Sequence, residues 1–240
     1  MSNDITSHQS VLTIPEINKT TALANFVLSP HMKKHLLPFF IVLLAFRQSF
    51  SQEGLYQFSK SYFRSDPFVG EFSGFLKHLM NDPAITNKQT LQRTDSSLFS
   101  FFGVYNNYNP FFFKPKRVEI LLEEASIQYA DSIPVDTILV YQIFSYADGN
   151  NEGKQEVKKE FEKIKRKYNK KFDYGNDQNL KTGEDITGAI HNFFVGYSAL
   201  APVSIVWNTV KDSNEAVLNI TIRMKSSGNR AVLATPFYNP

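Results

Sequence analysis

The chain has 240 residues, with 26 Lys plus Arg against 23 Asp plus Glu, 22 Phe, 11 Tyr, 1 Trp and no Cys. A 42% apolar content that is rich in aromatics excludes intrinsic disorder over most of the length. The absence of thiols excludes a disulfide scaffold, a thiolate zinc site, an iron–sulfur cluster, a cysteine nucleophile and a lipidated N-terminal Cys.

Met32-Lys33-Lys34-His35 precedes the apolar run Leu36 to Phe46, which is followed by Arg47-Gln48-Ser49-Phe50-Ser51-Gln52. A basic start, an apolar stretch within the usual range of about 7–15 residues and small residues before the cut are the marks of a secretory leader. The pattern predicts a signal peptide over 32–51, cleaved between Ser51 and Gln52, with residues 1–31 an upstream extension or a mis-assigned start. The run falls short of the ~20 apolar residues a bilayer span needs, and Pro38 and Arg47 suit neither a core helix nor an anchor. The Ser-Phe-Ser-Gln ending and the richness in Phe, Asn and Lys resemble exported proteins of the Bacteroidota. That resemblance is confined to leader and composition. It implies export to the periplasm or the medium.

Residues 1–51 carry Lys19, Lys33, Lys34 and Arg47 against Asp4 and Glu16. Taking 4 from 26 and 2 from 23 leaves 22 basic and 21 acidic side chains, a net charge of +1. So small a charge offers no long-range field for nucleic acid. Residues 52–240 are long enough for one domain with a sizeable core.

Asp66 as N-cap and Pro67 at the first helical position predict a helix carrying Phe68, Phe72, Phe75, Leu76 and Leu79, ending at Asn81-Asp82-Pro83. Strand-like runs follow at Leu98 to Tyr105, Arg117 to Tyr129 and Thr137 to Ala147. The last is apolar on both faces, which predicts a central strand. A helix from about Glu152 to Lys171 has the stripe Val157, Phe161, Ile164 and Tyr168. A shorter helix is expected from Thr182, with Asp185 completing a capping pair and Ile186, Ile190 and Phe193 on one side. The tail reads as a meander over Ser204 to Val210, Ala216 to Met224 and Arg230 to Thr235. In its middle strand Asn219, Thr221 and Arg223 alternate with Leu218, Ile220, Ile222 and Met224, predicting one wet face. The short turns predict an α+β fold, a mainly antiparallel sheet packed by two or three helices.

Several motifs invite chemistry. Asp148, Asn150 and Glu152 fall at positions 1, 3 and 5 of a calcium-type loop, but the twelfth position is Lys159 rather than Glu, so a polar turn that caps the next helix is favoured and no metal is expected. The basic strip of the long helix is interleaved with Glu152, Glu156, Glu160 and Glu162, the distribution of a solvated face. On a shared helix, Glu184 and His191 would lie about 10 Å apart, beyond direct contact. His78 reads as a structural or surface histidine. Glu119 and Glu123 share a strand face about 13 Å apart, too wide for a glycosidase pair, and Glu124 points to the other face. No nucleophile elbow, phosphate loop or dinucleotide fingerprint is present, so neither a catalytic residue nor a cofactor is assigned.

The densest anomaly is aromatic: Phe99, Phe101, Phe102, Tyr105, Tyr108, Phe111, Phe112 and Phe113, interrupted by Asn106-Asn107 and Asn109-Pro110. Tyr105, Tyr108, Phe111, Phe112 and Phe113 are the candidate contacts for a ligand or partner. If the stretch is extended, Phe111 and Phe113 share one side and Phe112 takes the other. These features predict an exported, non-enzymatic binding or structural protein of a bacterial cell envelope, with an envelope component or glycan as partner, no nucleic acid and no transmembrane helix in the mature chain. The alternative is a secreted hydrolase using acidic residues.

Overall fold

A computed structural model describes residues 53–68, 70–92, 99–128, 135–182, 185–196, 200–210 and 214–225. The leader with its Ser51–Gln52 junction, Glu184 and the expected last strand from Arg230 lie outside these segments. The elements, in chain order, begin with helix α1 over 53–62 and helix α2 at Phe72–Asn81. Strands β1 (Ile85–Gln92), β2 (Phe99–Tyr105), β3 (Arg117–Gln128) and β4 (Val135–Asp148) follow, then helix α3 (Asn151–Tyr168). Strands β5 (Tyr174–Thr182), β6 (Asp185–Phe194), β7 (Val203–Val210) and β8 (Glu215–Lys225) complete the series.

The eight strands form one antiparallel sheet in the order β1-β2-β3-β4-β8-β7-β6-β5. It consists of two four-stranded meanders joined along β4 and β8, with a helix preceding each: α2 before the first and α3 before the second. Exchanging β1 with β5, β2 with β6, β3 with β7 and β4 with β8 returns the same order, so the sheet has the connectivity of a two-fold repeat. The fold is α+β, as the short turns predicted.

Side-chain alternation explains why β4 and β8 are central. Leu139, Tyr141 and Ile143 of β4 stand opposite Met224, Ile222 and Ile220 of β8, and all six are inaccessible to solvent. The three helices cover this face. Phe58 of α1 reaches Phe193 of β6, and Phe63, just beyond α1, packs on Tyr141 with ring centroids 4.5 Å apart. Phe75 of α2 meets the same Tyr141 edge-on. Val157, Phe161, Ile164 and Tyr168 of α3 are buried, as their spacing predicted, and each such side chain contributes about 1.5–3 kcal/mol on leaving water. Asn150 starts α3 by accepting the Gly153 amide at 2.8 Å. Gly54 lets α1 abut the end of α3, since a Cβ there would lie 2.3 Å from the Lys171 carbonyl oxygen.

Two expectations are corrected. The helix expected from Asp66 begins at Phe72; Asp66 instead accepts the Phe68 amide in a tight turn at 3.0 Å. The helix expected from Thr182 is strand β6, its Ile190 and Phe193 divided between the two faces of the sheet by pairing with β5 and β7.

Candidate functional site

The opposite face of the sheet carries none of the three helices. Register places Phe102 of β2, Glu119, Leu121 and Glu123 of β3, and Val140, Gln142, Phe144 and Tyr146 of β4 on it. Asn219, Thr221 and Arg223 of β8, Ser204 and Val206 of β7, and Ile190 and Asn192 of β6 continue the surface. The wet face expected of β8 is therefore mixed: Thr221 and Ser204 are buried, whereas Phe144, Val206 and Arg223 are half-buried.

Two chains of hydrogen bonds cross this face. Arg223 donates from Nη1 to Ser204 Oγ at 2.6 Å, Ser204 Oγ donates to Asn192 Oδ1 at 2.6 Å, and Asn192 Nδ2 donates to Asn176 Oδ1 of β5 at 2.9 Å. Gln142 Nε2 donates to Thr221 Oγ1 at 3.1 Å, and that hydroxyl donates to Asn219 Oδ1 at 2.9 Å. Arg223 Nη1 also donates to the Ala201 carbonyl at 3.1 Å. No carboxylate among the described residues pairs with Arg223, and burial pushes its guanidinium pKa down to about 10. A desolvated, uncompensated cation is costly, and its unused N–H donors suit an anion.

Arg117 on the same face is fully engaged. It donates from Nε to Glu119 at 2.8 Å, grips Glu215 through both terminal nitrogens, and lies 3.6 Å over the Tyr146 ring. Glu119 is thereby held as a structural partner rather than left free beside Glu123.

On the helix-covered face, His191 of β6 stands opposite Asp177 of β5. Its Nδ1 lies 2.7 Å from Asp177 Oδ1, and Asp177 Oδ2 accepts from Lys165 of α3 at 2.6 Å. The ring is 2% exposed and packs edge-on against Phe193. Burial holds the imidazole pKa below its usual value against the pull of Asp177, so at neutral pH it is uncharged and donates through Nδ1–H. Burial also opposes ionisation of Asp177, but the bonds from Lys165 and His191 outweigh it and lower that pKa. The other ring nitrogen, Nε2, is buried without a partner among the described residues and lies over Gly175, where a Cβ would stand 2.7 Å from it. This histidine and carboxylate resemble a catalytic pair, but Nε2 is buried, so it presents no accessible nitrogen to a reacting group. On the helix expected over this segment Glu184 would share a face with His191; in strand β6 the partner of His191 is Asp177.

The remaining candidates take separate places. Tyr105 is buried, Tyr108 is half-buried and donates its hydroxyl to the Tyr62 carbonyl at 3.1 Å, and Phe111 and Phe113 are 6% and 7% exposed. Phe112 takes the opposite side, 81% exposed, with the Lys163 ammonium over its ring. Asp148 pairs with Lys116, Asn150 caps α3 and Glu152 sits exposed in its first turn. Among the described residues no three metal-ligating side chains converge, and no helix is long and apolar enough to cross a membrane. His78 is exposed in the last turn of α2, and Glu124 accepts the Phe99 amide at 3.0 Å.

Fold and surface together define an α+β protein whose sheet has one face covered by helices and one face that carries none of the described helices. No protein-family model, curated protein or solved structure matches the chain.

Proposed function

We propose that the chain is an exported, non-enzymatic binding protein of a bacterial cell envelope, and that the helix-free sheet face is its contact surface. The observation that carries this reading is Arg223, a half-buried cation without a carboxylate partner among the described residues, set in a surface of amide, hydroxyl and apolar side chains. Such a mixture suits an amphipathic ligand. Phe112 is a second, separate contact point, since the other aromatics of its segment are spent largely on the core. The hydrolase alternative finds less support, because Glu119 is locked by Arg117 and Asp177 by Lys165 and His191.

Export is tested by expressing the chain from Met32 in a Gram-negative host and weighing the product from the periplasm. A mass starting at Gln52 is expected, and retention of Leu36 to Phe46 would refute it. Binding is tested by capture of envelope components and by glycan-array binding with the wild-type protein and Phe144→Ala. Weaker capture by the variant supports the face as the contact surface, whereas equal capture removes it from the reading.

A further inference from the structure

We infer that the helix-free face binds a carboxylate-bearing saccharide, with Arg223 as the group that receives the carboxylate. The inference rests on the binding reading above and adds the chemical class of the ligand.

Three features lead to it. Arg223 donates twice through Nη1, to Ala201 and Ser204, which fixes the plane of the guanidinium and leaves its Nε and Nη2 donors with no partner among the described residues. Two parallel N–H groups held in one plane match the two oxygens of a carboxylate. The charge balance of the face favours a singly charged group over a dense polyanion. Lys225 lies two residues along the same face of β8, but Glu123 stands two strands away, opposite Val140, which in turn faces Arg223. Two strand spacings put that carboxylate about 10 Å off, close enough to disfavour a doubly charged phosphate or a run of like charges.

The third feature is the surface beside Arg223. Gln142, Ser204 and Asn192 extend across β4, β7 and β6 as donors and acceptors already aligned by their mutual hydrogen bonds, an arrangement suited to ring hydroxyls. Phe144, half-buried four residues along β4 from Val140, offers an apolar platform about 13 Å away, within the span of a short oligosaccharide.

The test is calorimetric titration of the purified protein with 3′-sialyllactose, a trisaccharide that carries a single carboxylate, with its methyl ester and with inorganic phosphate. The acid should bind and the ester should bind at least about tenfold more weakly, since esterification removes a charge-assisted pair and leaves every ring hydroxyl in place. R223Q should lose about tenfold or more for the acid and leave affinity for the ester unchanged, and R223K should recover part of the loss as a point charge without the fork. The thermal midpoint of R223Q should hold or rise, because a half-buried charge without a counter-ion among the described residues has been removed. An arginine that served the fold alone would lower the midpoint and leave the ratio of acid to ester unchanged, overturning the inference. Phosphate binding as tight as that of the acid, or no binding of the acid, would overturn it as well. Equal binding of acid and ester that Phe144→Ala weakens would refute the carboxylate while leaving the face as a contact surface; if Phe144→Ala also changes nothing, both readings fall.

Discussion

Phe111, Phe112 and Phe113 are three identical side chains in succession, so truncating each to Ala separates position from chemistry. Phe111 is 6% exposed, its ring 6.0 Å from Tyr62 and 5.8 Å from Phe113. A Phe buried to this degree hides roughly 200 Å², which at about 25 cal/mol per Å² is about 5 kcal/mol before the residual burial of the unfolded chain is subtracted. Allowing for that correction, Phe111→Ala and Phe113→Ala should each cost about 3–4 kcal/mol, within the measured range for Phe-to-Ala changes in cores. In a domain of this size that lowers the thermal midpoint by about 10 °C. Phe112 hides a fifth of its surface and keeps a contact with Lys163, so its truncation should cost at most about 1 kcal/mol. Urea denaturation of the four proteins, with a common slope, reads all three values. A core-sized loss for Phe112→Ala, or a loss under about 1 kcal/mol for Phe111→Ala, would refute the packing described for this segment.

Stability should fall as pH drops below about 6.5. The folded pKa of His191 is lowered by burial, so the unfolded chain takes up the proton first, and the stability present above about 6.5 is lost toward the lowered folded value. Asp177, also lowered, adds a loss of the same sign below about 3.9, whereas Glu160, raised by burial, acts in the opposite sense above about 4.3. The difference between wild type and His191→Gln in urea midpoint from pH 8 to 5 isolates the histidine, and parallel curves would refute its role. Ser145→Ala should leave stability unchanged or raise it by up to about 1 kcal/mol, because the buried Oγ has no hydrogen-bond partner among the described residues. A loss above that size in calorimetric melts would show that the hydroxyl is satisfied in solution.

The sequence by itself determined the elements that bury a regular pattern. Strand β4 read as central because both its faces are apolar, β8 read as a strand with one wet face because Leu218, Ile220, Ile222 and Met224 alternate without a break, and α3 read as a helix because four apolar residues recur at helical spacing. Leu55, Phe58 and Tyr62 carry the same periodicity in α1, directly after the leader pattern. Strands β1 and β5 could not be read this way. As the two edges of the sheet, with sequences ITNKQTLQ and YGNDQNLKT, they carry almost no apolar alternation, and their identity as strands comes from backbone pairing with β2 and β6. The four- and three-residue spacings of Ile186, Ile190 and Phe193 suit a helix, and only pairing with β5 and β7 makes β6 a strand. The pairing of Asp177 with His191, fourteen residues apart in sequence and opposite each other in the ladder, likewise exists only once β5 lies beside β6. The candidate site was likewise a tertiary decision. Arg223 is one polar residue in an alternating strand, and only the placement of the helices on the other face, with Ser204 and Ala201 brought beside it from the neighbouring chain segment, leaves it half-buried without a counter-charge among the described residues.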